Sequence, residues 1–185
     1  MKKKVIYSII IVSVIIILSV AVTYAVYTFS GVVNISGTSE CFDVNYVKGQ
    51  DIGSDSNPAN FVLANNYTEG LSSVIKVNLK DTCTITNGTG TLYLNTDTSV
   101  TSSTILSGKV LKYQVLDGTT PVGSGIVSSA ESIEIYKDIP ITTTVKTITV
   151  YIWLDGNLVT EQNQNEILSS VYKGHISMDI KSGDK

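Results

Sequence analysis

Thr147-Ile148-Thr149-Val150-Tyr151-Ile152-Trp153-Leu154 alternates between two kinds of residue without a break. Successive side chains of an extended chain leave on opposite faces, so Ile148, Val150, Ile152 and Leu154 share one face and Thr147, Thr149, Tyr151 and Trp153 the other. β-Branched and aromatic residues suit a pleated, half-buried surface, and Asp155-Gly156-Asn157 then supplies a turn. A lone strand cannot bury such a face, so the stretch requires partners of the same kind.

Those partners are legible on both sides. Phe42, Val44 and Tyr46 oppose Asp43 and Asn45. Ile75, Val77 and Leu79 oppose Lys76, Asn78 and Lys80. Leu92 and Leu94 form a further apolar pair, Leu111, Tyr113 and Val115 oppose Lys112 and Gln114, and Ile133 and Ile135 oppose Ser132, Glu134 and Tyr136. A last strand near 172–181 turns Ile176, Met178 and Ile180 inward and His175, Ser177 and Asp179 outward. Segments 49–60, 96–103 and 118–125 read as loops, Asn87-Gly88-Thr89-Gly90 as a hairpin turn, and 160–169 as the one place for a short helix, capped by Thr160. Short, half-buried strands punctuated by turns predict an all-β fold, an antiparallel two-layer β-sandwich of jelly-roll or immunoglobulin-like type.

The N-terminus has another character. Lys2, Lys3 and Lys4 precede Val5 to Phe29, a run with no charged residue. Such a run predicts an N-terminal hydrophobic helix over 1–29, long enough for a membrane anchor. Thr23-Tyr24-Ala25 also offers small residues to a signal peptidase, with Val26 following. In either case the basic end stays in the cytoplasm and residues 30–185 form an extracytoplasmic domain, membrane-anchored or secreted.

Composition narrows the chemistry. The formal net charge is −3 with the leader lysines counted, and arginine is absent, which argues against nucleic acid as a partner and removes bidentate guanidinium clamps. Cys41 and Cys83 are the only cysteines and border predicted strands, so one structural disulfide is expected. Two cysteines and one histidine without C-x-x-C spacing fall short of a zinc set. His175 sits on a polar strand face with no G-x-S-x-G elbow elsewhere, and reads as a solvated side chain rather than a general base. The carboxylate pairs Glu131/Glu134 and Asp51/Asp55 are not distinguished by spacing from other acids. No catalytic residue and no cofactor is expected.

Two stretches invite a ligand. Asp51, Asp55 and Asn57 place oxygen side chains on a Gly-containing segment of the kind Ca²⁺ selects, although the spacing departs from an EF-hand and a solvated Asx-rich turn uses the same residues. Tyr151 and Trp153 share a strand face and could stack on a sugar, or be covered by a loop.

The leader ending Thr23-Tyr24-Ala25, the segment Tyr151-Ile152-Trp153-Leu154-Asp155-Gly156-Asn157 and the late Tyr172-Lys173-Gly174-His175-Ile176-Ser177 strand resemble those of uncharacterised surface proteins of Firmicutes. More distantly, the layout is similar to the TasA/camelysin biofilm-fibre group, from which a disulfide would be a departure. That resemblance implies a jelly-roll subunit whose segment Val32-Val33-Asn34-Ile35-Ser36 pairs with a neighbour's sheet edge. The expected function is an exported, envelope-associated structural or adhesive protein without catalysis, touching the membrane through its N-terminal helix and other surface proteins, its own copies or glycans through its β surface. The alternative is an extracellular carbohydrate-binding module.

Overall fold

The computed structural model describes residues 34–36, 39–48, 51–52, 63–128, 131–168 and 170–183. The hydrophobic helix expected over 1–29 lies outside the described residues, and among those described no helix is long and apolar enough to cross a membrane. The strands are β1 (Asn34–Ser36), β2 (Phe42–Lys48), β3 (Asp51–Ile52), β4 (Leu63–Ala64), β5 (Leu71–Leu79), β6 (Gly88–Thr96), β7 (Leu111–Asp117), β8 (Thr120–Ile126), β9 (Ser132–Ile141), β10 (Lys146–Asp155) and β11 (Gly174–Ser182). Among the described residues two one-turn α-helices, α1 (Ser103–Ser107) and α2 (Gln164–Leu168), lie between strands.

The strands form two sheets. The first runs β1-β11-β6-β9, with β3 also on β11; the second runs β2-β5-β10-β7-β8, with β4 also on β10. Pairing is antiparallel except where β1 meets β11 and β4 meets β10. Eight of the strands obey a nested rule. β3 pairs with β11, β5 with β10, β6 with β9 and β7 with β8, all antiparallel, so these eight strands nest as one long folded hairpin. Alternate rungs of that hairpin fall in opposite sheets.

The alternation in the sequence accounts for the core. Ile148, Val150, Ile152 and Leu154 of β10 are buried, as are Ile75, Val77 and Leu79 of β5, Leu92 and Leu94 of β6, and Ile176, Met178 and Ile180 of β11. Side chains of both sheets join one apolar cluster. Burying each of these aliphatic side chains stabilises the fold by about 1.5–3 kcal/mol against leaving it exposed. Cys41 and Cys83 are disulfide-bonded with Cα atoms 5.6 Å apart, tying the start of β2 to the segment after β5.

Several local expectations are corrected. Segment 118–125 is not a loop: Gly118 (φ +61°) and Thr119 turn β7 into β8, an edge strand that tolerates Pro121. Gly123 is required there by packing, since a Cβ would stand 2.3 Å from the Ile135 carbonyl oxygen of β9. Gly88 to Gly90 begin β6 instead of turning a hairpin. Asp51–Ile52 of segment 49–60 is a strand, and α1 begins at Ser103, where a loop was expected. The helix expected over 160–169 is the shorter α2, entered through a turn in which Asn163 Oδ1 accepts from the Thr160 N–H. β9 continues through Pro140 to Ile141 past a bulge at Asp138 (φ 54°), a residue type that tolerates this conformation.

Candidate functional site

The outer face of the first sheet is polar by the same alternation that makes its inner face apolar. On β6, buried Leu92 and Leu94 alternate with Tyr93 and Asn95, which stand outward and partly exposed. The ladders set the rows: Asn95 lies between His175 of β11 and Ser132 of β9, and Tyr93 between Ser177 and Glu134. Asn95 Nδ2 donates to Ser177 Oγ at 2.8 Å. Where β6 ends, these residues open into a cavity of about 540 Å³ lined by Asn95, Asp97, Glu131, Ser132, His175 and Ser177, among others.

The wall and floor of the cavity are built firmly. Asp97 Oδ1 accepts from the Ser99 backbone N–H and hydroxyl at 3.1 and 2.6 Å, and Lys173 Nζ sits 2.8 Å from Asp97 Oδ2. The Lys173 and Ser99 hydrogen bonds hold the Asp97 carboxyl down at about 2. Beneath, the Tyr172 ring is fully buried, its hydroxyl 3.2 Å from Thr96 Oγ1, and burial pushes that phenol up to about 12. The Thr96 and Asp97 N–H groups donate to the Glu131 and Lys173 carbonyls, which ties the β6 end to β9 and to the approach of β11.

Tyr151 and Trp153 stand on the outer face of the second sheet and are not an open stacking platform. Tyr67, on the turn Tyr67–Glu69, packs its ring edge-on to Tyr151 at 5.1 Å and tilted over Trp153 at 6.3 Å. Trp153 is 8% exposed, and its buried Nε1 has no hydrogen-bond partner among the described residues. The sequence reading missed Tyr67, although Asn66-Tyr67-Thr68-Glu69 carries the signal. Asn66 Oδ1 accepts from the Thr68 N–H at 2.9 Å while Glu69 accepts from Asn66 Nδ2 at 2.8 Å, a reciprocal cap that fixes the turn. Beside it Lys112 pairs with Asp155, whose carboxyl is held below the usual range chiefly by that hydrogen bond. Asp155 also caps Gly156–Leu158 through the Asn157 N–H.

The remaining expected site residues are placed only in part. The backbone of Asp51 lies in β3 opposite His175, while Asp55 and Asn57 fall outside the described residues. Among the described residues no three or more His, Cys, Asp and Glu side chains converge as metal ligands. No protein-family profile matches the chain, and neither a curated protein nor a solved structure matches it.

Proposed function

We propose that this chain is an exported, cell-envelope-associated structural or adhesive protein that acts through its β surface without catalysis. Its domain is a two-layer jelly-roll sandwich, the architecture to which the nested pairing of eight antiparallel strands corresponds. The observation that carries the reading is the disulfide between Cys41 and Cys83 in a chain headed by a lysine-led apolar run, since such bonds persist in oxidising compartments. The 1–29 segment serves as signal peptide or membrane anchor. A surface-fibre role of the kind implied by the TasA/camelysin resemblance fits the same layout. Asn34–Ser36 lies on the edge of its own β11, and in a fibre that edge would receive the segment from a neighbouring copy.

Intact-mass analysis and N-terminal sequencing of the protein from fractionated cells, without reductant, test this. The expected result is an envelope or secreted chain two hydrogens lighter than its reduced form, beginning at Val26 if released or retaining its leader if tethered. Recovery in the cytoplasm with both thiols free would overturn it. The second reading, glycan binding, is supported by the polar cavity beside Asn95 and His175 rather than by Tyr151 and Trp153.

A further inference from the structure

We propose that the outer face of the first sheet binds a neutral oligosaccharide, with Tyr93 as the stacking ring and Asn95, Ser132 and His175 as the hydrogen-bonding row beside it. The inference deepens the adhesive reading above and rests on it only for the place where such a ligand would be met.

Three observations define the occupant. First, β6 is hydrogen-bonded along both sides, to β11 and to β9, so its backbone cannot capture an added peptide strand and recognition here falls to side chains. Second, the cavity lining is made only of residues of polar type, whose surface mixes polar and apolar atoms about evenly, and this suits neither a lipid nor a typical apolar drug-like ligand. It combines a carboxamide, carboxylates, an imidazole and hydroxyls, and sugar hydroxyls can donate to the carboxylates and both donate to and accept from the others. Tyr93, two residues from Asn95 on the same strand face, adds the flat apolar surface against which the C–H face of a sugar ring packs. Third, the charge is wrong for an anion. Glu131 lines the cavity, Glu134 stands beside Tyr93, and the adjacent Lys173 is occupied by Asp97.

Asn95 and the cavity wall are also held in place before any ligand arrives. Asn95 is oriented by Ser177, which is itself buried, and the Asp97 wall is fixed by Ser99 and Lys173. Groups fixed in advance lose less freedom on binding.

The chain carries a single-residue reporter on each outer face, because His175 is its only histidine and Trp153 its only tryptophan. Protein recovered from cells and isotopically labelled at histidine is titrated with cellotetraose, chitotetraose and, as the anionic counterpart, tetragalacturonate. The His175 imidazole resonances are followed by NMR and Trp153 by emission. A neutral tetrasaccharide is expected to shift His175 saturably and leave Trp153 emission unchanged. Tyr93→Ala is expected to weaken binding about tenfold, with Tyr93→Phe restoring it.

The proposal is overturned if no neutral tetrasaccharide moves His175, if tetragalacturonate binds as tightly, or if Tyr93→Ala retains native folding by circular dichroism and full affinity. A sugar response confined to Trp153 would also overturn it and move the site to the other sheet. The compartment and thiol state decide the envelope reading separately, so either conclusion can fail without the other.

Discussion

The two sheets share one pattern of alternation but treat their outward faces differently. On the second sheet, the turn Tyr67–Glu69 lays Tyr67 over Tyr151 and Trp153, and the Lys112–Asp155 pair stands alongside. On the first sheet the equivalent outward residues, Tyr93, Asn95, Ser132 and His175, lie beside an open cavity. Outward aromatic residues on a strand therefore do not by themselves mark a ligand surface. Whether a neighbouring segment has already used them decides that.

The largest expected effect concerns the covalent fastening, which belongs to β2 of the second sheet and has no counterpart among the described residues of the first. The Cys41–Cys83 bond spans 42 residues of sequence, and on the chain-entropy model its loss in the Cys41→Ser/Cys83→Ser double variant costs about 4 kcal/mol. Urea denaturation followed by circular dichroism should show that loss as a lower midpoint with native-like starting signal. An unchanged midpoint would mean that β2 is held by its ladder to β5 alone.

The comparison of faces is tested most directly by removing one tyrosine from each. Tyr67→Ala strips one ring contact from buried Trp153 and one from Tyr151 and should cost about 2 kcal/mol, with a red shift in Trp153 emission as the indole meets water. Tyr93→Ala removes a partly exposed ring and should stay within about 0.5 kcal/mol of the parent. Equal costs would erase the distinction between a sealed and an open face.

The smallest effect is a titration at the cavity wall. The folded state holds Asp97 at about 2, below the ordinary aspartate value of about 4. The sign follows from the depressed carboxyl: its contribution is fully present above about pH 4 and is lost as the pH falls through about 2. NMR of the Asp97 side-chain carboxyl should give a midpoint at about 2, and Lys173→Met should raise it. A midpoint at the ordinary value in the parent would show the wall to be open in solution.

Sequence periodicity alone determined which residues face inward. Ile148 to Leu154, Ile75 to Leu79, Leu111 to Val115 and Ile176 to Ile180 were all legible, because period two is imposed by the extended backbone whatever lies around it. The cysteine pair was legible for a related reason, as two thiols without metal-ligand spacing leave little else for them to do. Glycine and proline misled at 118–125 and 87–90, where their permissiveness serves the close approach of β8 to β9 and the entry to β6 rather than a loop. Strand order, the cover that Tyr67 lays over Trp153, and the meeting of His175, Asn95 and Ser132 in one row were decided by tertiary structure. These depend on long-range register, which joins residues some eighty positions apart, such as Asn95 and Ser177, and local periodicity carries no record of which strand a given strand will meet.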